Sequence, residues 1–113
     1  MGTSPAGSVV LVPFPFSDLL KSKLRPAVVL ADVGRGDRIL CQITSNPYGD
    51  PSAVALDATA FAHGDLRVAR SRPGKLFTAS EELVVAEVGM LTADALMRIV
   101  NAVVNVLRGD RAE

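Results

Sequence analysis

Short β-branched runs separated by clusters of turn formers, and closed by one amphipathic stretch, constrain this chain more than any other feature. Ala27, Val28, Val29, Leu30 and Ala31 are apolar without alternation, the pattern of a strand buried on both faces. Gly34, Arg35, Gly36 and Asp37 then mark a tight turn into Ile39, Leu40, Cys41, Gln42, Ile43 and Thr44, so these two runs are expected to pair as a hairpin. Residues 9–16 form a further β-branched and aromatic run. Pro13 and Pro15 lack the donors that a central strand position needs, so the end of this strand is expected to leave the sheet. Asn46, Pro47, Gly49, Asp50 and Pro51 concentrate turn formers. Beyond them, short strands are expected at 53–56, 68–71, 75–78 and 83–88. Many short strands at close spacing suggest a small barrel. The last element is a helix: Leu96, Ile99, Val100, Val103, Val104 and Leu107 recur at helical spacing, with Asp94, Arg98, Asn101, Asn105 and Arg108 opposite. Thr92 is placed to cap its start, and Gly109 to end it in the left-handed region. The expected class is mainly β with a C-terminal α-helix.

Length and composition limit what the motifs can mean. A chain of 113 residues, 49% of them hydrophobic, can bury one core. One domain is expected over residues 8–109, with a flexible tail at 1–7 and a short tail at 110–113. Twelve basic and 12 acidic residues cancel, so any contact with nucleic acid must come from local clustering of Lys and Arg. Cys41 is the single cysteine and sits in an apolar run, which favours a buried, inert thiol over a nucleophile. His63 is the single histidine, next to Gly64 in what reads as a polar loop. It is expected at the surface, and a zinc site would lack the His and Cys cluster that zinc prefers. No run approaches the ~20 apolar residues of a membrane span and no basic leader precedes one, so a cytoplasmic location is expected.

Several ordered motifs carry a family resemblance. Gly7-Ser8-Val9-Val10-Leu11-Val12-Pro13-Phe14-Pro15-Phe16, followed by Leu24-Arg25-Pro26-Ala27-Val28-Val29-Leu30, resembles the first two strands of the MazF/PemK-type toxins. Ile43-Thr44-Ser45-Asn46 is similar to the family's third-strand end, and Lys75-Leu76-Phe77-Thr78 to a later strand. Val88-Gly89-Met90-Leu91 before the helix is similar to its ending. The resemblance runs from about residue 7 to residue 108. It implies an SH3-like barrel and the toxin of a type II toxin–antitoxin system. It further implies a homodimeric, metal-independent endoribonuclease without a cofactor, which cuts single-stranded RNA or mRNA and is silenced by a cognate antitoxin protein.

Metal-free cleavage uses the substrate's own 2′-hydroxyl as nucleophile, so the protein has to help move protons and stabilise a charged phosphorane. By motif match the resemblance places the catalytic pair on Arg25 and Thr44. Arg25 offers a permanently charged planar fork that fits phosphate oxygens, and it sits just before Pro26, which favours extended backbone. Thr44 ends the strand expected to pair with the one that Arg25 begins. The plain readings are a solvated strand-end charge and an ordinary β-branched strand residue. Ser45 and Asn46 extend the same rim as RNA-binding candidates, with a turn role as the alternative. Lys21 and Lys23 lie in the first loop, as RNA contacts or as a solvated tip. Arg67, Arg70, Arg72 and Lys75 form a basic run without an acid, either a phosphate track or a solvated face. Some family members carry an Arg-x-Asp pair here. This chain has Arg72 on the arginine and Gly74 on the carboxylate position, so the base comes from elsewhere, with Asp18 or an RNA-bound water as candidates, or cleavage is weaker.

Two other classes of function remain. A gyrase-targeting toxin on the same barrel would depend on a C-terminal tryptophan motif, and this chain has no tryptophan. A non-catalytic SH3-like module would need an aromatic groove for a peptide, and one Tyr and four Phe supply it poorly.

Overall fold

The computed structural model describes residues 4–14, 23–44, 50–64 and 69–109. Within them the strands are β1 (Ser8–Phe14), β2 (Lys23–Gly34), β3 (Asp37–Thr44), β4 (Val54–Leu56), β5 (Phe61–Gly64), β6 (Ala69–Ser80) and β7 (Ala86–Leu91), followed by α1 (Ala93–Arg108). All neighbouring strands are antiparallel, in the order β4-β6-β3-β2-β1-β7-β5. The two edge strands, β4 and β5, are consecutive in the chain and joined by a single 3-10 turn, Ala58–Ala60. Laid flat, the edges of seven strands would stand about 29 Å apart, six spacings of ~4.8 Å. The step from Leu56 to Phe61 can span only about 17 Å even when fully extended. The sheet therefore curls into a nearly closed barrel.

Alternate strand residues feed two apolar clusters on opposite faces. Val9, Val28, Cys41 and Ile43 join Ala95, Ile99 and Val103 of the helix in one cluster. Val10, Val12, Ala27, Val29 and Leu40 form the other, with Ala79. The continuous apolar run of β2 is thus explained, since Ala27, Val28 and Val29 are all fully buried but on alternating sides. At the hairpin tip, Arg35 and Gly36 both have positive φ, 58° and 80°, as a two-residue type I′ turn requires. At the barrel's other end Gly64 has φ 75°, and a Cβ there would collide with the Val88 carbonyl of the neighbouring strand, so only glycine allows β5 to close on β7.

Some expectations need correction. The separate strands expected at 68–71 and 75–78 belong to one 12-residue strand, β6, which runs through Pro73 and Gly74. Its register against β3 shifts between Cys41 and Ile43, and the bulge absorbs the proline, which has no amide to donate. The strand expected at 83–88 starts at Ala86, because Ser80 caps a 3-10 turn over Glu81–Leu83. His63 lies in β5, opposite Met90, and is exposed as expected, but on a strand and not in a loop. Residues 4–7, expected within a loose tail, are tied down. Ser4 Oγ donates to Glu81 at 3.1 Å, and the Gly7 amide donates to the Val29 carbonyl at 2.8 Å. Arg38, only 3% exposed, completes this end through the Ser4 carbonyl, Asp32 and Glu81.

The helix caps are as expected: Thr92 Oγ1 accepts the Ala95 amide at 3.1 Å, and Gly109 closes the helix at φ 82°. The buried row, however, is Ala95, Ile99 and Val103, while Leu107 is 74% exposed. Small Ala95 allows the close approach, and Leu107 lies one turn beyond Val103, the last residue that the barrel covers.

Cys41 is fully buried and holds the bulge together. Its Sγ lies 3.1 Å from Ser71 Oγ and 3.2 Å from the Arg72 carbonyl. A hydroxyl donated by Ser71 and a thiol donated to the carbonyl satisfy both contacts. Burial pushes the thiol up from its ordinary value of 9.0 to about 11. A pKa raised by folding gives stability that is complete below about pH 9 and disappears as pH rises towards 11, about 3 kcal/mol in all. Urea titrations at pH 8 and pH 11 should show this loss in the native chain and not in Cys41→Ala, and Ellman's reagent should label the folded protein at pH 8 far more slowly than the unfolded one.

Candidate functional site

One row of residues crosses the sheet at the open end of the second cluster. The β1 and β2 register pairs Val12 with Arg25. Between β2 and β3 the register pairs Val28 with Cys41 and Ala27 with Gln42. Continued for two residues, it sets Arg25 opposite Thr44. Across β3 and β6 Thr44 pairs with Arg70, and across β6 and β4 Arg70 pairs with Ala55. Directly opposite residues in an antiparallel sheet point to the same face, about 5 Å apart at Cβ. Arg25, Thr44 and Arg70 therefore form a cation–hydroxyl–cation row on a face whose floor is Val12 and Ala27. Arg25 is exposed, while Thr44 and Arg70 are half-buried.

Arg72 belongs to the same side of β6, since Ser71 and Pro73 on either side of it are fully buried in the barrel. Its Nε donates to Asp50 Oδ2 at 3.1 Å, so one edge of its guanidinium is engaged by a carboxylate. Gln42, two residues before Thr44 on its face, has a buried Oε1 without a hydrogen-bond partner among the described residues. Lys75 follows the bulge and is exposed.

The structure thus brings Arg25, Thr44, Arg70 and Arg72 to one region of the sheet. Asp18, Lys21, Ser45, Asn46 and Arg67 lie outside the described residues, as does the side chain of Lys23, whose backbone pairs with Phe14. Two residues were missed from sequence. Asp50 read only as a turn former, and no linear spacing ties it to Arg72. Gln42 read only as a polar interruption of β3, and its place beside Thr44 follows from strand alternation. Among the described residues no cluster of His, Cys, Asp and Glu could hold a metal ion, and no helix is long and apolar enough to cross a membrane.

No protein-family model and no curated protein matches the sequence. Solved structures do match. The MazF of Deinococcus radiodurans superposes with a TM-score of 0.73 at 23% identity, over 96% of this chain and 99% of that one. A MazE–MazF structure from the same organism gives 0.74 at 20% identity, over 96% and 98%. An endoribonuclease from a mycobacterial species gives 0.70 at 17% identity, over 96% and 94%. The likeness extends over nearly the whole of each chain and includes both the curled sheet and the C-terminal helix. This chain is built on the fold of the MazF toxins.

Proposed function

We propose that the chain is the toxin of a type II toxin–antitoxin pair, an endoribonuclease that cuts single-stranded RNA without metal. A fold hosts many functions, so the reading has to rest on the site. The observation that carries it is the Arg25–Thr44–Arg70 row: two guanidiniums flanking a hydroxyl on an accessible sheet face are donors spaced for a phosphodiester. The names of the structural neighbours support it, since they include endoribonucleases and an endoribonuclease in complex with its cognate antitoxin.

In this reading the substrate's 2′-hydroxyl attacks the adjacent phosphorus and the bond to the 5′-oxygen breaks. The products carry a 2′,3′-cyclic phosphate and a 5′-hydroxyl. Arg25 stabilises the charge that grows on the non-bridging oxygens, and the Thr44 hydroxyl donates to the same phosphate. Arg70 extends the positive row along the RNA backbone, and Lys21, Lys23, Ser45, Asn46 and Lys75 add contacts around it. Asp18 remains the candidate base.

Arg25→Ala should lower the cleavage rate by roughly 10²- to 10³-fold with little change in the melting temperature, because it removes a donor from an exposed strand end and not from the core. Arg25→Lys should recover little, since an ammonium does not reproduce the planar fork. A parallel loss of cooperative unfolding would make Arg25 structural instead.

Incubation with a long single-stranded RNA in EDTA should give products ending in a cyclic phosphate. The same RNA with 2′-deoxyribose at the cut position should stay intact, and cutting there would rule out attack by the 2′-hydroxyl. Binding without cutting would favour the non-catalytic module.

The chain is also proposed to act as a homodimer whose RNA groove an extended acidic antitoxin segment can fill. Leu24, Val85 and Met97 are each more than half exposed, and symmetric pairing is the commonest way to cover exposed apolar side chains. Light scattering at micromolar concentration should report twice the chain mass, and a fully active monomer would overturn this.

A further inference from the structure

The contact between Asp50 and Arg72 is built unlike the exposed ion pair of the helix. Both its side chains are largely withdrawn from solvent, at 16% and 21% exposure, whereas Arg98 and Asp94 stand 48% and 90% exposed at 3.7 Å. Asp50 is itself fixed: its Oδ1 accepts the Ser52 amide at 2.9 Å, and its carbonyl accepts the Ala53 amide at 3.2 Å. One carboxylate oxygen thus anchors the group to its own turn while the other takes Arg72 Nε. The backbone of Arg72 is fixed as well, since its carbonyl accepts Cys41 Sγ–H at the bulge.

Such an arrangement does little for stability, because pairing two half-withdrawn charges roughly offsets the cost of desolvating them. Its effect is on geometry. A guanidinium held by Nε keeps its two terminal nitrogens for another anion, and those nitrogens form the edge that matches phosphate. Arg72 stands two residues from Arg70, which pairs with Thr44, and on the same side of β6.

We infer that Asp50 is a positioning residue: its carboxylate holds Arg72 by Nε so that the terminal-nitrogen edge of the guanidinium meets the phosphate bound on the Arg25–Thr44–Arg70 row. The inference rests on reading that row as an RNA-cleavage site. Both oxygens of Asp50 are engaged as acceptors, which holds the carboxylate in one orientation towards Arg72. A donor fixed in advance needs no reorganisation when charge develops in the transition state.

Gly74 supplies an independent test. It lies two residues beyond Arg72 within the bulge, it is exposed, and a Cβ there would meet nothing within 4 Å. A carboxylate introduced at this position is a second, sterically free source of the missing partner. Single-turnover cleavage of a long single-stranded RNA should be compared in Asp50→Asn, Arg72→Ala, the double variant, and Asp50→Asn combined with Gly74→Asp, with affinity for an all-2′-deoxy analogue and the melting temperature measured on each. Asp50→Asn and Arg72→Ala should each slow cleavage about 10- to 100-fold while analogue binding changes less. The double variant should be no slower than Arg72→Ala alone, and Gly74→Asp should restore several-fold of what Asp50→Asn loses while giving no such gain when introduced into the native chain, where a gain would mark it as an added base. Wild-type cleavage in Asp50→Asn, or an equal further loss when it is added to Arg72→Ala, overturns the proposal. If the native chain cuts no RNA, the endoribonuclease reading fails separately and the same cycle is read on analogue affinity. There, a loss from Asp50→Asn only when Arg72 is present supports the positioning role, and absence of binding overturns it.

Discussion

Every position in the candidate site is set by the pairing of β2 with β3, and that pairing is fixed by burial. Val28 and Cys41 enter one apolar cluster while Val29 and Leu40 enter the other. A slip of one residue would exchange the two sets and drive Arg25 and Thr44 towards the helix side. The type I′ turn at Arg35 and Gly36 reinforces the same register from the hairpin end. Core packing and the cation–hydroxyl row are consequences of one ladder.

The site lies where that ladder runs out. Towards the hairpin tip the face beneath β2 and β3 is sealed by Val29 and Leu40, and towards the other end it opens at Arg25 and Thr44. The β6 bulge operates at the same level. By taking up Pro73 it keeps Arg70 in register with Thr44, and the buried thiol of Cys41 satisfies the carbonyl that the bulge frees. Cys41 is thereby a structural support for the site from the opposite face of the sheet, although its sulfur is too deeply buried to react.

A chain of zero net charge can still present a cationic surface if its acids are placed elsewhere. Asp32 and Glu81 are engaged with Arg38 and the N-terminal residues at the other end of the barrel, and Asp94 pairs with Arg98 on the helix. Beside the row, Asp50 pairs with Arg72, and its effect there is to aim a cation. Local segregation of charge, and not composition, is what suits this face to an anion.

The sequence by itself determined the element types and the helix limits. Apolar runs, turn glycines and caps act over a few residues, so Thr92, Gly109 and the Gly34–Asp37 turn were legible without coordinates. The resemblance also singled out Arg25 and Thr44, which the β2–β3 register, continued past its last pair at Ala27 and Gln42, sets opposite each other. Tertiary structure alone decided the rest. Nothing local shows that Pro73 sits inside a continuous strand, because the bulge exists only against β3. Residues 4–7 look like a loose tail until Glu81 and Val29 are brought beside them. Leu107 has helical spacing but no barrel beneath it. Asp50 and Arg72 lie 22 residues apart and meet only because β4, β6 and β3 are neighbours in a curled sheet. Contacts at such separation depend on how a sheet closes, which is a property of the whole chain and not of any window along it.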